Sequence, residues 1–133
     1  MKVRSFVWLA ALLPGIGGTA YAHHSQAMFD ETRMVTLKGV ITRFAWVNPH
    51  VQIYFEVTDK GKKQVWQIEA NAALSMGHAG WKRDQFKAGE PVTVSFHPTR
   101  SGSPQGYLRK IVGPDGKALE MAGNTPAGAA QQP

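Results

Sequence analysis

The sequence predicts a mainly β fold: a five-stranded, OB-like, partly open barrel with one short helix between strands three and four. Three observations predict it. Apolar and polar residues alternate in several separate runs, the period of strands that bury one face. The first run is long and its apolar phase slips midway, as a coiled strand with a bulge requires. One short helical stretch follows the third run, and the order β-β-β-α-β-β is that of an OB barrel. A β-sandwich is the runner-up and would want about seven strands.

Each element has its own reason. Val35, Leu37, Gly39 and Ile41 alternate with Thr36, Lys38 and Thr42, and the phase then shifts to Phe44 and Trp46. Gly39 eases the bend, and Asn48-Pro49-His50 breaks the strand. Val51, Ile53, Phe55 and Val57 alternate with Gln52, Tyr54 and Glu56 as the second strand. Asp59-Lys60-Gly61-Lys62 is a hairpin turn that returns the chain as a third strand, Val65–Glu69. Asn71 is placed to cap a helix from Ala72 to about Met76, with Gly77 as its stop. Trp81–Phe86 reads as a turn or helical piece. The fourth strand carries Val92, Val94 and Phe96 on one face. A Ser/Gly/Pro loop, Pro98–Gly106, precedes the fifth strand, Tyr107–Val112, and Pro114-Asp115-Gly116 is a turn. The expected core is Val35, Leu37, Ile41, Val51, Ile53, Phe55, Ile68, Val92, Val94 and Phe96.

The flanks differ from this domain. Residues 1–22 carry Lys2 and Arg4, an apolar stretch from Phe6 to Ile16, and Ala20-Tyr21-Ala22 as an A-x-A cleavage site. That is the pattern of a secretory signal peptide, and its apolar run is short for a membrane-spanning helix. The mature domain is expected over residues 23–120, in the periplasm or outside the cell, with no transmembrane segment after cleavage. Residues 121–133 lack charge and read as a disordered tail. The chain has no cysteine, which excludes disulfides, thiolate metal sites and cysteine nucleophiles. Cleavage removes two cations from a formal net charge of +6. The remaining basicity is mild, and with export it argues against a nucleic-acid partner.

The run Ala22-His23-His24-Ser25, then Phe29-Asp30, LKGVITRFAWVNPH, WQIEA, AGW and KAGEPVTVSFHP, resembles a family of small exported bacterial proteins catalogued as a domain of unknown function. The resemblance runs from Ala22 to about Leu119. It implies an exported, OB-like β domain and no particular activity.

The residues themselves carry the chemistry. Cleavage after Ala22 makes His23 the first residue, so its α-amine and Nδ1 can close a chelate ring, and His24 adds an imidazole and a backbone amide. A nitrogen-rich, square-planar set suits Cu(II). The amine must shed its proton to bind, since its ordinary pKa is about 7.7–8.0. His50 lies in the first strand–strand loop, beside the usual OB ligand face. His97 ends the fourth strand opposite the apolar face. His23, His24, His50 and His97 are therefore the candidate metal ligands, with copper the candidate cofactor. His50 and His97 equally suit structural roles, as does His78. Glu69, out of phase with Trp66 and Ile68, reads as a solvated strand-end acid, a ligand, or the partner of a site histidine. Trp46, Tyr54, Trp66 and Trp81 read as core, Tyr54 least so because it is out of phase; the alternative is a stacking platform of the kind OB barrels use for bases or sugars.

Three function classes follow. The first is an exported binding protein that takes Cu(II) through its N-terminal histidine. The second is a metal-free module binding a glycan, a small ligand or another exported protein. The third is a copper redox enzyme with a histidine-brace-like site. No phosphate loop, catalytic triad order or zinc-protease motif is present, and no specific reaction is indicated, so a binding role is favoured over an enzyme.

Overall fold

The computed structural model describes residues 26–121. The expected signal peptide, His23, His24 and the segment beyond Met121 lie outside the described residues. Among the described residues the strands are β1 (Val35–Ala45), β2 (Gln52–Asp59), β3 (Lys62–Glu69), β4 (Pro91–Pro98), β5 (Gln105–Val112) and β6 (Ala118–Glu120), with one α-helix, α1 (Ala73–His78), and a single 3-10 turn, Gln26–Met28. The sheet order is β3-β2-β1-β4-β5-β6, and a parallel pairing of β3 with β5 closes the first five strands into a barrel. The fold is mainly β and OB-like, with one extra strand. Among the described residues, no helix is long and apolar enough to cross a membrane.

The long first strand is shared by both halves of the barrel. Val35 to Val40 pair with β4, and Val40 to Ala45 pair with β2, with a register shift between Ile41 and Arg43. That shift is the phase slip seen in the sequence. Gly39 sits where the strand coils tightly: a Cβ there would stand 2.5 Å from the Glu56 carbonyl oxygen and 2.7 Å from the Phe55 ring. The β2–β3 hairpin turns through Lys60 (φ 49°) and Gly61 (φ 78°), the left-handed pair that matches strand twist.

Closure depends on Gly106. It pairs with Ile68 of β3 and Pro98 of β4, and a Cβ on it would overlap the Phe96 ring. The barrel is closed rather than partly open, because this missing side chain lets β5 lie against both neighbours.

Ile41, Val51, Ile53, Phe55, Ile68, Val92, Val94 and Phe96 are buried as expected, joined by Met76, Trp81, Phe86, Leu108 and Ile111. Val35 and Leu37 are only half-buried. Their stretch of β1 has a strand on one side alone, so their inward faces line the rim. Trp46 and Trp66 pack partly buried against the core, with Trp66 5.1 Å from the Phe96 ring.

Three further expectations are corrected. Asn71 makes no side-chain cap; the helix begins after Ala72, and the Asn71 amide oxygen is taken by the Tyr107 hydroxyl instead. The helix continues through Gly77 to His78, and Gly80, at φ 89°, turns the chain away. Met121, expected to start the tail, is buried, and its N–H donates to the Arg109 carbonyl beside the short strand β6. That strand was not anticipated, since Ala118–Glu120 is too short to show a period.

Candidate functional site

In an OB barrel the ligand face lies over β2 and β3, between the β1–β2 and β4–β5 loops. Here that face carries one continuous polar row. Gln52 pairs with Glu69, Glu69 with Tyr107, and Tyr107 with His97, so four strands present these side chains side by side. Each is flanked by buried neighbours that point inward, which turns the row outward.

His50 stands at the end of this row. It leaves the β1–β2 loop directly after the cis Asn48–Pro49 peptide. The Val51 N–H donates to the Asn71 carbonyl and the Ala70 N–H donates to the Val51 carbonyl, which extends the β2–β3 ladder past His50 and Glu69. The His50 Nδ1 lies 2.8 Å from Glu69 Oε1. That oxygen is shut off from solvent and accepts no hydrogen bond among the described residues, so the imidazole lies beside it without donating to it. Glu69 therefore stands next to His50 with one oxygen buried, unlike the solvated strand-end acid that was one of the three roles read from its phase.

Beside Glu69 is a small polar cavity of about 40 Å³, lined by Met28, Phe29, Gln52, Gln67, Gln105 and Gly106. Three glutamine amides form a ladder along it. Gln105 Nε2 donates to Gln67 Oε1 at 3.5 Å, and Gln67 Nε2 donates to Gln52 Oε1 at 3.2 Å. The sequence held the signal for Gln52 and Gln67, each a polar residue alternating with apolar ones, but not for Gln105, which lies in a Ser/Gly/Pro stretch. Further along β2, Tyr54 faces outward with the Arg43 guanidinium 4.0 Å above its ring.

The segment before β1 lies across the β4–β5 side of this face. The Asp30 N–H donates to the Pro98 carbonyl, the Arg100 N–H donates to the Met28 carbonyl, and Phe29 bridges to Thr99. The Phe29 ring sits 5.6 Å from that of Tyr107. His97 lies under this segment, 8% exposed, and its Nδ1–H donates to the Arg33 carbonyl at 2.6 Å. Asp30 is held below the ordinary carboxylate range, first by the Thr32 hydroxyl it accepts from, then by the Thr32 amide, Arg100 and Arg33; partial desolvation opposes them.

The predicted ligands therefore separate. His50 is on the face, 34% exposed and beside a carboxylate. His97 is on the same row but covered. His23 and His24 lie outside the described residues. Among the described residues, no three His, Asp or Glu side chains gather as a metal-holding group. A hollow of about 250 Å³ is at the opposite end of β5, between Phe86, Gly113 and Leu119, and a more open one of about 330 Å³ is lined by Trp46, Asn48, Leu74, His78 and Arg83.

No curated protein matches this sequence. Among solved structures, two crystal forms of Rim1, a mitochondrial single-stranded DNA binding protein from S. cerevisiae, are similar at 11% identity with a TM-score of 0.47. The match covers 67% of this chain in both and 95% or 94% of the yeast chain. A family model matches residues 12–109, most of the chain including the whole row from His50 to Tyr107. The protein belongs to that family, which is described as a family of unknown function (DUF6152).

Proposed function

We propose that this protein is exported, is cleaved after Ala22, and binds Cu(II) through its mature N-terminus, in the periplasm or outside the cell. The His23 amine and imidazole supply a chelate, His24 a third nitrogen, and His50 a donor from the barrel. One observation carries the reading: Met28, only five residues from His23, lines the same small cavity as Glu69, the neighbour of His50. Five residues extend at most about 17 Å, so the chain end has the reach to meet His50. His97 serves this arrangement indirectly, by holding Arg33 and with it the segment that leads to the chain end.

The test compares mature protein with a form carrying one Ala before His23, titrated with Cu(II). The extension keeps every side chain and moves only the free amine. The mature form is expected to bind tightly and the extended form weakly. Equal binding by both rejects the amine chelate.

The amide ladder and the outward Tyr54 favour a second reading, a metal-free module. Planar amides and an aromatic face suit a hydrogen-bonding ligand such as a glycan. Absence of Cu(II) binding by the mature form would move the assignment to this class.

A further inference from the structure

We infer that the outer row Arg43–Tyr54–Gln67–Gln105 binds a uronate-bearing glycan, with a sugar carboxylate on the Arg43 guanidinium and sugar hydroxyls on the glutamine amides. This inference rests on the metal-free glycan reading above and not on copper.

The topology sets the row. Arg43 of β1 pairs with Tyr54 of β2, Tyr54 with Gln67 of β3, and Gln67 with Gln105 of β5. Ile53, Phe55, Ile68 and Gly106 beside them are buried, so the row points outward. The bulge in β1 decides its first member. Ile41 opposes Phe55, so without the register shift Thr42 would oppose Tyr54; with it, Arg43 does. Re-aiming a side chain in this way is what a bulge is suited to do. Three steps between strands carry the row over about 14 Å, more than one sugar ring.

Each member has capacity left for a ligand. The Arg43 guanidinium lies 4.0 Å above the Tyr54 ring. Stacking holds it flat through its π face and leaves its N–H edge free, the geometry that takes a carboxylate with two parallel hydrogen bonds. Among the described residues no acid pairs with it, and Glu56, next along β2, is taken by Lys63 at 2.9 Å. Gln67 and Gln105 each spend one amide hydrogen in the ladder and keep the other, and the Gln105 Oε1 still accepts. A sugar hydroxyl both donates and accepts, so it matches these amides. Single-stranded nucleic acid fits less well. It asks for open aromatic faces and several cations, whereas Arg43 covers one face of Tyr54 and is the row's only cation.

The full chain, labelled with nitrogen-15, is titrated by NMR with an oligogalacturonate, with its methyl ester, which keeps the ring hydroxyls and loses the charge, and with oligothymidylate. The Gln67 and Gln105 side-chain amides should shift with both sugars, and Arg43 Nε with the uronate alone. Arg43→Ala, Arg43→Lys, Gln67→Ala and Lys117→Ala are compared after circular dichroism confirms folding. R43A is expected to lose about 5–10-fold for the uronate and nothing for the ester. R43K should fall between, since an ammonium keeps the charge without the fork. Q67A should weaken both sugars, and K117A, a cation away from this face, neither. Equal wild-type affinity for uronate and ester overturns the inference and leaves the glycan reading standing. An equal loss in K117A and R43A overturns it too, because the attraction is then diffuse. Tighter binding of oligothymidylate than of uronate hands the face to nucleic acid. No shift with either sugar removes both the inference and the glycan reading. If R43A does not fold, R43K and the acid–ester comparison decide.

Discussion

Neighbouring residues of the same strands lead opposite lives in this protein. Inside the barrel, Ile53, Phe55 and Ile68 are fully buried, and their contacts use all that an apolar side chain offers. One residue out of step, Gln52, Tyr54, Gln67, Glu69 and Tyr107 are half-buried on the outer face. Their contacts are directional and leave capacity over: amides with spare hydrogens, a carboxylate beside one imidazole, an imidazole with a free nitrogen. The interior stabilises and has nothing left to bind with. The outer face contributes less to stability and keeps the groups that a ligand would meet.

Substitutions should separate the two regions, beginning inside. Phe55→Ala removes a fully buried ring and should cost about 3–5 kcal/mol in urea unfolding. If the loss is no larger than for outer-face changes, the comparison fails. Gly106→Ala should cost about 1–3 kcal/mol, because the added methyl must displace the Phe96 ring or part β5 from β3. An unchanged midpoint would mean that the closing seam is not tightly packed.

On the covered part of the outer face, His97→Ala should cost about 1–2 kcal/mol, since the Arg33 carbonyl loses its donor. Hydrogen exchange at the Asp30 and Arg33 amides should speed up more than exchange in β2. Uniform exchange would show that His97 does not pin the segment before β1.

The smallest effect is at Asp30, which is half-buried and hydrogen-bonded. Its folded pKa is lowered, so its contribution is present above the unfolded value of about 3.9 and is lost as pH falls through the folded value. Asp30→Asn should therefore lower the urea midpoint slightly near neutral pH, and the gap to wild type should narrow on acidification. A gap that widens in acid reverses the sign and rejects the assignment.

Much of the barrel was legible because strands with one buried face print their geometry as period two. The slip between Ile41 and Phe44 announced the bulge, and the Lys60-Gly61 turn followed from its residues. The helix boundaries were not legible. Asn71 has the chemistry of a cap, but Tyr107, distant in sequence, claims its side chain. The half-exposure of Val35 and Leu37 was hidden for a similar reason, since their pattern is that of core residues and only the pairing shows a strand on one side.

For the site, the sequence by itself determined the inventory: two histidines after the cleavage motif, a third behind Asn48-Pro49, a fourth at a strand end, and an acid out of phase on the third strand. Those follow from residue identity and local pattern, which short-range geometry governs. Only the tertiary structure decided that Glu69 faces His50, that His97 is covered, and that Met28 approaches the same cavity. Those juxtapositions depend on how β5 closes on β3 and on where the segment before β1 crosses. They are set by long-range packing, which no local period records.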